Sequence, residues 1–251
     1  MSDLSPIGLS RTHEEEWREF FRTGRVFTAP VDRERLQHRM NVNTTVLAVT
    51  GVIVALVAVG AVVAAITDFG RIATYILLIL LIVAAGFVFL KFWFTRRRLR
   101  AGLASADDYL VVSAEGIRFA GHVDLPWTIV FGGIGTDMRG LSGNRPAARI
   151  SRAAGVAEAE FVLGVHGIRA IRDTAPKDLH GVFEVMAHHG GIRIPLDNVV
   201  APEFVRSSLA AISISGHLAG VRADVSTERD VVFKATMAVL GEPEKFESAM
   251  P

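Results

Sequence analysis

The sequence predicts an α+β membrane protein, with a two-helix transmembrane hairpin followed by a small antiparallel β-domain closed by a helix. Three observations carry this. The chain of 251 residues is 50% hydrophobic with a mean hydropathy of +0.36, more apolar than an ordinary soluble domain. That excess is concentrated in two blocks, 46–66 and 72–94. After them come brief strand-like runs separated by turn residues, and then one amphipathic helical pattern.

The N-terminal segment, 1–41, reads as helical. Thr12 followed by Glu15 has capping-box spacing, and Trp17, Phe20 and Phe21 recur at helical intervals. A helix over about 13–22 is expected to lay this aromatic side on the soluble domain or a partner. A second helix over about 32–40 leads toward the membrane.

The first apolar block has 21 residues without a charge. At about 1.5 Å per residue it crosses roughly 30 Å of hydrocarbon. The second is broken only by Lys91 near its end, where a long amine reaches the headgroups. A cleavable signal peptide is disfavoured, because about 45 mostly polar residues precede the first block. Residues 67–71 then form a tight turn, so both termini face one side. Arg33, Arg35 and Arg39 precede the first block, and Lys91, Arg96, Arg97, Arg98 and Arg100 finish the second, against only Arg71 at the tip. The positive-inside rule therefore places both termini in the cytoplasm of a bacterial plasma membrane.

Two features of the hairpin suggest contacts. Lys91, Trp93, Arg96, Arg97, Arg98 and Arg100 form a candidate membrane-surface contact, although topology alone explains such charge. Gly51, Ala55, Gly60 and Ala64 are candidates for a helix-packing face, either within the hairpin or against another membrane subunit. Neither block holds Asp, Glu, His or Arg, so no ion path is expected.

Beyond a basic linker over 96–108, strands are expected at 109–113, 116–121 and 123–130, a hairpin around His189-Gly190, and a helix over 201–213 begun by Pro202. Trp127 is expected in the core. Residues 216–251 read as an extension with one short element and a tail.

The runs Tyr109-Leu110-Val111-Val112-Ser113, Glu115-Gly116-Ile117, Pro126-Trp127 and Ile192-Arg193-Ile194-Pro195-Leu196 resemble the bacterial pleckstrin-homology-like domains, and specifically the YcxB-like membrane proteins. The resemblance covers roughly 109–215. It implies a bent antiparallel barrel capped at one end by the C-terminal helix. Ile129 stands where that family often has an acidic residue. The first turn, Ser113-Ala114-Glu115-Gly116, is acidic, which disfavours the cationic phosphoinositide site of the wider fold.

No catalytic residue, cofactor or metal is expected. There is no Cys, which excludes disulfides and thiolate chemistry. His180, Glu184 and His188 share a face, yet in a strand positions four apart lie about 13 Å from each other. Gly132-Gly133-Ile134-Gly135 reads as a flexible loop, since Met138 replaces the last glycine of a dinucleotide fingerprint. With 27 basic and 26 acidic residues, no field for nucleic acid arises. The functional expectation is a non-enzymatic, two-pass membrane-anchored interaction module for a protein partner or lipid headgroups. The alternative is an accessory subunit of a larger bacterial membrane complex.

Overall fold

A computed structural model describes residues 8, 10–66, 72–139, 141, 143, 145–185, 189–241 and 243–249. The first helix, α1 (Arg11–Arg22), is capped by Ser10, whose hydroxyl accepts from His13 N, and not by Thr12. Its rings Trp17, Phe20 and Phe21 form one aromatic cluster with Phe27. They pack into the domain's own core. Phe27 begins strand β1 (Phe27–Pro30), which lies inside the segment read as helical.

Asp32 then starts α2 (Arg33–Ile66) by accepting from Arg35 N at 3.0 Å. The helix runs without interruption from the polar segment through the first apolar block. Its partner α3 (Ile72–Leu103) does the same in reverse, so residues 96–103 are helix and not linker. Both are long and apolar enough to cross a membrane. The expected turn at 67–71 lies outside the described residues.

The two helices share a seam. Among the least exposed positions of α2 are 36, 40, 43, 47, 50, 54, 57, 61 and 64, and among those of α3 are 78, 82, 85, 89, 92, 95 and 99. Steps of four and three give a period close to 3.5 residues, the spacing that keeps one stripe facing a partner helix. On the other sides the apolar blocks stay exposed, as at Val59 (60%) and Leu80 (60%).

The remaining strands make two sheets. β2 (Asp108–Val112), β3 (Gly116–Phe119) and β4 (Val123–Pro126) form an antiparallel meander. β1 pairs with the edge of β2, giving the order β1-β2-β3-β4. A 3-10 turn over Trp127–Ile129 leads into β5 (Val130–Asp137). Then follow α4 (Pro146–Ala153), β6 (Ala159–Val165), α5 (Ile168–Thr174), β7 (Phe183–Val185) and β8 (Gly190–Pro195). α6 (Pro202–Leu218), β9 (Ala223–Ser226) and α7 (Arg229–Gly241) complete the set, before a last helical turn at Phe246–Ala249. The second sheet has the order β7-β8-β6-β5-β9, with β9 parallel to β5.

No ladder joins the two sheets among the described residues, so the expected closed barrel is an open, two-sheet arrangement. α6 is longer than expected and is not an end cap. It is buried from Ser208 to Gly216 and packs against α1 and strands of both sheets. Trp127 is 3% exposed, as expected of a core residue. Its Nε1 donates to Ser215 Oγ of α6 at 3.0 Å, which satisfies the one polar atom the ring must bury.

Two other expectations fail. The Gly132–Gly135 run is a strand interior and not a loop. A Cβ at Gly132 would meet the Phe246 ring at 2.3 Å, and one at Gly135 would meet Phe161 at 2.8 Å, so the missing side chains let aromatic rings lie on both faces of β5. The C-terminal region is no loose extension either, because β9 extends the second sheet. Ala235, Ala238, Val239 and Leu240 of α7 cover its outer face over Ile134 and Val162.

Candidate functional site

The place where the structure concentrates unusual chemistry is the junction between the hairpin and the second sheet. The main core continues straight across it. Leu36 and Met40 of α2 and Leu99 and Ala101 of α3 belong to the same apolar cluster as both sheets and α6. Gly181 approaches α3 so closely that a Cβ there would lie 2.7 Å from the Arg97 carbonyl.

Two polar clusters flank this apolar joint. On the α3 side, Arg98 Nη2 donates to Glu184 Oε1 of β7 at 2.8 Å. Glu184 also accepts from Arg193 Nε of β8 at 2.7 Å, and Arg193 bonds Glu160 of β6. The result is a row of alternating charge across three strands and a helix. Burial works to raise the Glu184 pKa, but Arg193 and Arg98 together hold it below the usual carboxylate range. Burial likewise works against the Arg193 charge, and Glu160 and Glu184 outweigh it.

On the α2 side, Asp197 is almost fully enclosed. It accepts from the backbone N–H groups of Glu158 and Ala159 at 3.3 Å. Burial pushes its pKa up to about 6, against the opposing pull of Arg39, those N–H groups and Arg139. Its neighbour Asn198 accepts from Arg39 and donates to Gly155 O at 2.5 Å. Higher on the same helix, Asn43 is buried in the seam and donates to Phe92 O at 3.3 Å and Ala154 O at 3.1 Å.

The candidate surface residues separate accordingly. Arg98 is turned into the domain, where it bonds Glu184. Arg96 crosses the seam to Thr44 Oγ1 at 3.0 Å. Arg97 and Arg100 are exposed. Lys91 reaches Ser151 of α4 at 3.5 Å, and the exposed Trp93 stacks on Phe89. The small residues do not form one face. Gly51 lies beside Phe89 and Ala64 is on the seam, whereas Ala55 and Gly60 point away from α3.

The His180, Glu184, His188 set does not gather. His180 sits in a 3-10 turn with Nε2 donating to Ala175 O at 3.2 Å, Glu184 is committed to two arginines, and His188 lies outside the described residues. No group of three or more metal-ligating side chains occurs among the described residues. Between the charged row and α7 runs an open groove of about 360 Å³, edged by Met138, Arg229, Phe233 and Met237.

Asn43, Asp197 and Asn198 escaped the sequence reading. The period of the seam signals Asn43, since a polar residue at a core position of a 3.5-residue repeat is conspicuous. Asp197 and Asn198 carry no comparable signal, because only the fold brings them beside Arg39. No family model, no curated protein and no solved structure matches this chain.

Proposed function

We propose that the protein is a non-enzymatic, two-pass membrane-anchored interaction module that holds its α+β domain against the bilayer for a protein partner or lipid headgroups. One observation carries this reading: the seam of the apolar hairpin continues into the core of the domain without a linker. Such a mount fixes the domain's height and orientation at the membrane, which suits presentation of a surface. Both termini are assigned to the cytoplasm of a bacterial plasma membrane by the charge flanking the apolar blocks. The pleckstrin-homology-like assignment is supported by the meander and by the helix between two sheets, and the open junction between those sheets weighs against it.

The test is purification of the whole chain in mild detergent followed by mass spectrometry of what accompanies it. The reading expects a co-purifying chain or bound lipid in near-stoichiometric amount. A protein that purifies alone and turns over a substrate would refute it. A second reading, accessory subunit of a larger membrane complex, rests on the outward Ala55 and on Gly60, around which a Cβ would meet nothing within 4 Å. Crosslinks from those two positions to a foreign helix would favour it over the first.

A further inference from the structure

We infer that α4 and its immediate flanks, residues 145–154 between β5 and β6, form a lateral foot that binds anionic phospholipid headgroups beside the hairpin. This rests on reading the hairpin as a membrane crossing, and it assigns a lipid contact to a part of the chain distant in sequence from the basic helix ends.

Position comes first. Ala154, just after α4, is buried against Leu47 and Phe92, and its carbonyl accepts from Asn43. Ser151 receives the Lys91 amine at 3.5 Å. Asn43 lies three residues before the first apolar block, while Leu47, Lys91 and Phe92 lie within the two blocks. The end of α4 therefore reaches the edge of the apolar zone, where headgroups begin.

Chemistry agrees with position. From Met138 to Ala157 the chain has four arginines and no Asp or Glu. Arg139 is held by Asp137 at 2.7 Å, and Arg152 donates to Gly143 O at 2.8 Å and approaches Glu158. Arg145 and Arg149 are exposed and make no ion pair among the described residues. Beside them on the helix, Ile150 is 53% exposed, and Leu141, earlier between the same two strands, is 56% exposed. Unpaired guanidinium groups next to exposed aliphatic side chains are what an interfacial helix presents: cations at phosphate depth and apolar groups just below. Guanidinium also binds phosphate oxygens in a bidentate fashion. The outward α3 residues Trp93 and Phe94 sit at a comparable height on the hairpin, where aromatic rings favour the interface.

Because the chain has no Cys, Ile150→Cys can carry a single bimane label in the full-length protein reconstituted into vesicles. Val59→Cys, on the outward side of the first span, is the reference. The expected result is that the Ile150 label is shielded from aqueous iodide and quenched by lipid brominated near the headgroup. Brominated phosphatidylglycerol should outcompete brominated phosphatidylcholine. Arg145→Gln with Arg149→Gln should lower that preference by about fivefold per charge removed, given about 1 kcal/mol for each basic residue near an anionic surface.

An Ile150 label open to iodide while the Val59 label is quenched by lipid would overturn the foot and leave the crossing intact. An iodide-accessible Val59 label would remove the crossing and the foot together. Equal quenching by the two lipids would overturn the anionic assignment. Shielding that arises only when another protein is added would assign the surface to that protein instead.

Discussion

The two halves of the hairpin have the same seam and opposite surroundings. In the upper half, 46–66 with 76–94, the seam positions are apolar apart from Thr50 and include Phe89 and Phe92, and the rest of the circumference is apolar and exposed but for Lys91. In the lower half, 33–45 with 95–103, the seam continues through Leu36, Met40 and Leu99, but these residues are buried in the domain core and the outward positions are polar. Periodicity sets which side meets the partner helix, and the surrounding medium sets everything else. A helix that is apolar all round belongs in lipid, and one that is apolar on a stripe belongs on a core.

This comparison yields a graded set of effects on unfolding of the full chain in detergent. Trp127→Ala, remote from the hairpin, sets the scale for the domain core at about 3 to 5 kcal/mol. Leu99→Ala, in the lower seam, should cost about 2 to 5 kcal/mol, because it opens a cavity shared by α3 and the domain. Leu80→Ala, on the outward side of the upper half, should stay within about 0.5 kcal/mol. Equal costs for Leu99 and Leu80 would erase the distinction between the halves. Gly181→Ala tests the same joint by pressure. Its Cβ would strike the α3 backbone, and overpacking of this kind costs about 1 to 3 kcal/mol.

A further effect concerns pH. Asp197 has a folded pKa of about 6, above the ordinary carboxylate value. Between roughly pH 4 and 6 the folded state therefore binds more protons than the unfolded chain, and this group makes stability fall as pH rises through that window. Glu184, Asp137 and Asp224 have depressed values. Their contributions are present at higher pH and are lost as pH falls below the ordinary carboxylate range. Denaturation followed from pH 7 to 5 should show a gain of about 1 kcal/mol from Asp197. Asp197→Asn should abolish that gain, and an unchanged profile in the variant would remove Asp197 from the explanation.

What was legible in the sequence followed from strong, local patterns. Two blocks of 21 and 23 residues with a single charge, Lys91, define the two long apolar helices, the alternation around Val111 and Ile117 defines the meander, and Pro202 marks the start of α6. The failures came where the signal was tertiary. Gly132–Gly135 reads as a loop because its glycines have no side chains to show alternation, although aromatic rings from elsewhere fill both faces of the strand there. β1 is only four residues long, and it becomes a strand because β2 offers an edge to the chain just before α2. Residues 96–103 look like a linker because they are basic, yet Thr95 and Leu99 continue the buried stripe. Of the candidate surface residues, Arg98 has a bond into the domain that no local pattern signals, since its partner Glu184 is 86 positions away.

The central claim is that span and domain are joined by unbroken helix, and hydrogen exchange of the whole chain in lipid nanodiscs tests it most directly. The account predicts that amides of 96–103 are protected to a degree comparable with those of β6, since both lie in one cooperative core. Exchange of 96–103 within seconds, while β6 stays protected, would show a flexible tether at this position and contradict the account.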